Sequence, residues 1–165
     1  MFNFISNEKY FYPAAVIDEI VPAKPGYYCL KIKNIKDLPE NFALELENRE
    51  HNILYIGLAS KSLKTRMLKQ ELRAIGHGTF FRSMGAVLGF RPNEGSLLDK
   101  ANKRNYKFNK ESENHIIRWI NDNLIVGWKT VDFVDEDEET KLIHFYKPLL
   151  NVSKNPLKLK KLRIL

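Results

Sequence analysis

The sequence predicts an α/β fold of the α+β kind: a small three-stranded, mainly antiparallel sheet flanked by helices, with a helical insertion. Three observations carry that expectation. Gly26-Tyr27-Tyr28-Cys29-Leu30-Lys31-Ile32-Lys33 alternates with the period of a strand, residues 52–58 form an apolar run of strand length, and residues 60–75 and 135–146 are rich in helix formers at helical spacing. With 165 residues and 44% hydrophobic composition, one core in one domain spanning 1–165 is expected.

In chain order, residues 1–24 read as an N-terminal extension closed by Pro22 and Pro25. In the first strand Tyr28 shares a face with Leu30 and Ile32. The polar stretch 34–50 reads as a loop or short helix. Residues 52–58 are apolar enough for a central strand covered on both faces. Across 60–75, Leu63, Met67 and Ala74 fall on one side of a helix, with Arg66 at the edge of that stripe. Residues 76–125 read as an insertion. It opens with Gly76-His77-Gly78, carries a helix over 80–88 whose Phe80, Phe81, Met84, Val87 and Leu88 belong to the core, and ends in a helix over 111–121. Residues 126–134 have the β-branched and aromatic content of a third strand. A last helix spans 135–146 and is stopped by Pro148, and 152–165 form a basic tail.

The formal charge of +7 and pI near 9.4 favour a polyanionic partner, nucleic acid first. A single cysteine, Cys29, excludes intramolecular disulfides and a multi-thiolate zinc site, and fits a cytoplasmic setting. No window approaches the roughly 18 apolar residues of a membrane helix, and the first residues lack a signal-peptide pattern, so a soluble, unprocessed chain without membrane contact is expected.

Glu139 is followed by Leu142, Ile143 and Tyr146 at i+3, i+4 and i+7, so a carboxylate shares an apolar helix face. Two readings stand level. It is a ligand or catalytic group, or it merely favours the positive end of a helix that Asp135 caps and Glu138 completes as a capping box. Gly26-Tyr27-Tyr28 ends a proline-rich entry into one strand, and Tyr55-Ile56-Gly57 ends the next. With Arg66 on the following helix, Glu139 on a later one, and Asn151 in Lys147-Pro148-Leu149-Leu150-Asn151, the chain resembles the GIY-YIG nuclease superfamily. It departs from that pattern in its long insertions, in tyrosine at the middle place of the first tripeptide, and in Leu58, where many members carry lysine.

The resemblance implies a metal-dependent endonuclease hydrolysing phosphodiester bonds, with DNA favoured over RNA. Glu139 would hold one Mg²⁺ or Mn²⁺, Arg66 would set its fork on a phosphate oxygen, and Tyr28 and Tyr55 would orient or deprotonate the attacking water, Tyr55 being slightly favoured. His77 is either a histidine facing the phosphate, and a candidate base where the lysine is missing, or an ordinary loop residue, and Asn151 either bonds backbone or substrate beside the site or simply follows a turn. Lys69, Arg73, Lys103, Arg104 and Lys107 are expected to contact nucleic acid, with Tyr106 and Phe108 interleaved as stacking residues. Two other readings remain: a binding module of the same fold without catalysis, and a protein-interaction domain. One copy nicking and two copies cutting both strands are equally open.

Overall fold

The computed structural model describes residues 4–99, 101 and 106–160. Its sheet has four antiparallel strands in the order β1-β4-β2-β3: β1 (Phe11–Pro13), β2 (Gly26–Ile32), β3 (Ile53–Ala59) and β4 (Leu124–Thr130). The expectation of three strands is therefore corrected. The fourth comes from the N-terminal extension, where three residues are too few for a period to show and Pro13 argues against a strand. An edge position tolerates that proline.

Two strands differ from their expected places. β3 is apolar because both its faces are covered, yet it stands at the edge of the sheet rather than in the centre, since an apolar run reports covered faces and not the number of neighbours. β4 leaves the sheet at Thr130, before the expected end at 134. Its partner β2 begins at Gly26 opposite Thr130, and one further bond, Val131 N–H to Pro25 O at 3.0 Å, closes the ladder.

Alternation, interrupted once where the β2–β3 register shifts between Leu30 and Lys31, divides the sheet into two apolar faces. Tyr28, Leu30, Ile32, Tyr55, Leu124 and Val126 belong to the larger core, and Tyr27, Cys29, Ile53 and Ile56 pack with Phe4, Ile5 and Ile143 on the other side. The larger core is roofed by α1 (Glu40–Asn48), α2 (Thr79–Val87) and α3 (Lys110–Asn123), so 34–50 is a helix preceded by a short 3₁₀ turn. Ile143 on the opposite face comes from α4 (Glu136–Tyr146), whose N-cap Asp135 accepts from Asp137 N–H at 2.9 Å.

Residues 64–72 form a π-helix, Lys64–Leu72, in place of the α-helix expected over 60–75. Among the described residues no helix is long and apolar enough to cross a membrane.

Two aromatics of the insertion expected to stack on bases are structural instead. Tyr106 and Phe108 are buried in the larger core, with rings 5.5 Å apart, and Lys107 between them is exposed. The alternation that suggested a stacking strip instead turns both aromatics inward, and they are no longer available to stack on bases.

Candidate active site

The cleft begins with a tyrosine pair. Cross-strand register sets Tyr28 opposite Gly57 and Leu30 opposite Tyr55, so Tyr28 and Tyr55 are diagonal neighbours on one face. Their rings stack with centroids 6.2 Å apart. The phenol end of Tyr28 lies over Gly57, where an added Cβ would stand 2.5 Å from the hydroxyl oxygen. Any side chain at 57 would push the hydroxyl away, which gives the glycine of Tyr55-Ile56-Gly57 a steric reason.

The edge of β3 is closed by the segment after α4. Leu149 and Leu150 donate to Ile53 O and Leu54 O at 3.1 and 2.8 Å. Asn151 then pairs its side-chain amide with Ile56 in both directions, accepting from the N–H at 3.0 Å and donating to the C=O at 2.8 Å. A side chain thus does what another strand residue would do, and the 4% exposed Asn151 holds backbone rather than facing the cleft. Arg49 secures the same segment by donating to Lys147 O and Pro148 O.

Beyond that closure lies a cleft of about 420 Å³, lined by Tyr28, Tyr55, Gly57, Leu58, Lys61, Arg66, Glu136, Glu139 and Lys154 among others. Four of the six expected site residues therefore meet, although their segments are far apart in sequence. Glu139 reaches the cleft from α4 and accepts from Lys154 Nζ at 3.1 Å. Arg66 donates to Gln70 Oε1 at 3.0 Å and lines the cleft together with Tyr28. Burial works against the Arg66 charge, but Tyr28, Glu71 and Tyr55 outweigh it and lift the pKa above its ordinary value. Burial, reinforced by the Glu71 charge, holds Tyr28 well above the ordinary phenol, so it rests as a neutral hydroxyl.

His77 is outside the lining of this cleft. Its side chain is wholly buried against Phe81 and Phe108, and its Nε2 accepts from Phe108 N–H at 3.3 Å. That bond uses the Nε2 lone pair and leaves the proton on Nδ1, so the 3.4 Å approach to Glu113 Oε1 is no ion pair. Burial drives its pKa down to about 4, which agrees with a neutral ring.

Of the expected nucleic-acid contacts, Lys69 and Lys107 are exposed. Arg73 is instead engaged, bidentate to Asp18 at 2.7 and 3.1 Å and donating to Ala14 O, and its charge is spent locally. Lys103 and Arg104 lie outside the described residues. The sequence reading missed Lys154, grouped with a featureless tail, and Glu71, whose carboxylate follows the apolar Met67 by four and Leu68 by three and so carries the signal that singled out Glu139.

A small antiparallel sheet with two tyrosines, an arginine and a glutamate around one edge cleft has the parts of a phosphodiester-cleaving domain. A family model of the GIY-YIG catalytic domain matches residues 26–165, and the chain belongs to that family, whose members are endonucleases. Comparison with curated proteins and with solved structures gave no match.

Proposed function

We propose that this chain is a metal-dependent endonuclease that hydrolyses phosphodiester bonds in nucleic acid, DNA before RNA, and works in the cytoplasm. On this reading it acts as one domain, elaborated by the extension 1–24, the insertion 76–125 and the tail 152–165. The observation that carries it is the meeting of Tyr28, Tyr55, Arg66 and Glu139 at one cleft.

Hydrolysis requires an oriented water, stabilisation of charge on the phosphoryl oxygens and a proton for the departing alkoxide. Arg66, kept charged by its neighbours, offers a planar fork to a phosphate oxygen. Glu139 and Glu136 give the α4 wall of the cleft hard oxygen donors, and Glu139 already accepts from a cation, the Lys154 ammonium. One or two carboxylates with water in the remaining positions is a donor set that suits Mg²⁺ or Mn²⁺. Among the described residues no group of three His, Cys, Asp or Glu comes together, so a single, largely hydrated ion is the form that fits. When bound, the ion supplies neutralisation of charge on the phosphate.

Tyr28 and Tyr55, which line the cleft, would hydrogen-bond the attacking water on this reading. Leu58 lines the cleft without a charge, and Lys154 brings an ammonium to the same space, beside the acid, where its charge can stabilise the leaving oxygen.

The experiment is incubation with plasmid, single-stranded DNA, branched DNA and RNA in Mg²⁺ or Mn²⁺, repeated with Glu139→Gln and Arg66→Ala. Each variant is expected to cut slower by about a hundredfold or more, the usual cost of losing one transition-state charge partner. Undiminished cleavage in both removes the assignment. Binding by the parent without cleavage supports the non-catalytic module.

A further inference from the structure

Glu71 is a buried ionisable group that the mechanism above leaves unused. In an α-helix a residue five places after Arg66 would point about 140° away from it. The π-helix closes its turn at the fifth residue, so Glu71 comes round beneath Arg66 and faces Tyr28. Glu71 is fully buried. Its Oε2 accepts from the Tyr28 hydroxyl at 3.4 Å and from Phe80 N–H at 3.3 Å, and its Oε1 has no hydrogen-bond partner among the described residues.

The surroundings are shaped for this carboxylate. A Cβ at Gly78 would collide with Oε1, and Gly78 is the N-cap of α2 with no side chain to cap it, so Glu71 supplies the missing acceptor from another helix. Capping alone does not account for the second contact. A phenol has one proton, and here it is directed inward to Glu71. What Tyr28 turns to the cleft is therefore a lone pair.

We infer that Glu71 is the buried acceptor of the Tyr28 hydroxyl proton, a positioning residue that makes the phenol oxygen an acceptor towards the attacking water. The inference rests on the nuclease reading above. As the water oxygen bonds to phosphorus and the P–O ester bond breaks, a water proton passes to the Tyr28 oxygen and the Tyr28 proton passes to the Glu71 carboxylate. The departing alkoxide takes a proton from solvent water. Glu71 then returns its proton through Tyr28 to the hydroxide so formed, and the site is restored.

The charge environment agrees with this role. Burial pushes Glu71 up to about 7, against the opposing pull of Arg66 on its own helix, the Phe80 N–H and Arg82 of α2, and the Tyr28 hydroxyl of β2. An acceptor poised near neutrality suits proton transfer better than an exposed carboxylate.

Glu71→Gln keeps the shape and the acceptor for Phe80 N–H but cannot take a proton. With supercoiled DNA and Mg²⁺, the parent kcat is expected to rise with pH through an inflection near 7. Glu71→Gln should lower kcat by about a hundredfold with KM unchanged and abolish that inflection, and Glu71→Asp should restore part of the rate. A Glu71→Gln enzyme with the parent kcat and the same inflection overturns the proposal. Carbon NMR of the parent gives a second reading that does not need the variant to fold. The Glu71 carboxyl and the Tyr28 ζ carbon should shift with one shared inflection, and a Tyr28 signal indifferent to the Glu71 titration overturns the proposal. Should the parent cut none of the substrates, the nuclease reading falls by itself, and the shared titration still decides whether Glu71 holds the Tyr28 proton.

Discussion

Glu71 and His77 are buried titratable side chains that answer pH in opposite directions. The Glu71 pKa is raised from 4.5 to about 7, so its contribution to stability is full below 4.5 and is lost as pH rises through 7. The His77 pKa is lowered from 6.5 to about 4, so its contribution is full above 6.5 and is lost as pH falls through 4. Across the shared window the two slopes oppose each other. Above pH 7, Glu71→Gln should therefore raise the unfolding free energy by up to on the order of 3 kcal/mol, read as a higher urea midpoint, and the gain should close below pH 4.5. Acidification from 6.5 to 4 should then destabilise the variant more steeply than the parent, because the His77 slope is no longer offset. A variant that tracks the parent at every pH would show that folding does not raise the Glu71 pKa. Residues at this scale were legible where a motif or an apolar face marked them, as with Tyr28, Tyr55, Arg66 and Glu139. For Glu71 the apolar company of Met67 and Leu68 was legible but its place beside Arg66 was not, because an α-helical period turns it away and only the wider π turn brings it back.

The closure of β3 belongs to the scale of elements. Asn151 gives the edge strand two buried hydrogen bonds where the backbone ladder ends, next to the residues that line the cleft. Asn151→Leu keeps a side chain of similar reach and leaves Ile56 N–H and C=O unpaired, at a cost of about 3 kcal/mol in stability. The Ile56 amide should exchange with solvent faster, and cleavage should slow because Tyr55 and Gly57 flank the loosened residue. Unchanged Ile56 protection would show that the edge does not depend on Asn151. Most elements could be read in advance. α2, α3 and α4 fall within a few residues of their expected places: α3 and α4 through apolar spacing along one buried face, and α2 through an apolar run that is buried on all sides. β1 could not, for its three residues are held in the sheet by β4, which lies more than a hundred positions further along the chain.

At the scale of the whole molecule the excess of +7 is distributed unevenly. Lys61, Lys64 and Lys69 are exposed on and beside the π-helix, next to the cleft wall that carries Arg66, whereas Arg73 is neutralised by Asp18. Nucleic-acid affinity should fall linearly on a log–log plot against salt, and replacing each of those three lysines by glutamine should lower the slope by about one. Arg73→Gln should leave the slope unchanged and lower stability instead, by loss of its ties to Asp18 and Ala14 O. An equal effect of Arg73 on the slope would show that its charge is free to meet phosphate. Strand order was the least legible feature at this scale. Composition shows that β3 is covered on both faces, but only the folded chain shows it to be an edge with a neighbouring segment laid along it.

That laid-along segment has a consequence for how the protein is made. Tyr28, Tyr55 and Arg66 leave the ribosome early, but the acid, the clamping amide and the ammonium come from positions 139, 151 and 154. A chain still in synthesis past the π-helix owns the phenols and the guanidinium without their counterpart. On the nuclease reading, the full set of cleft residues comes together only after α4 has docked and the following residues have locked on to β3.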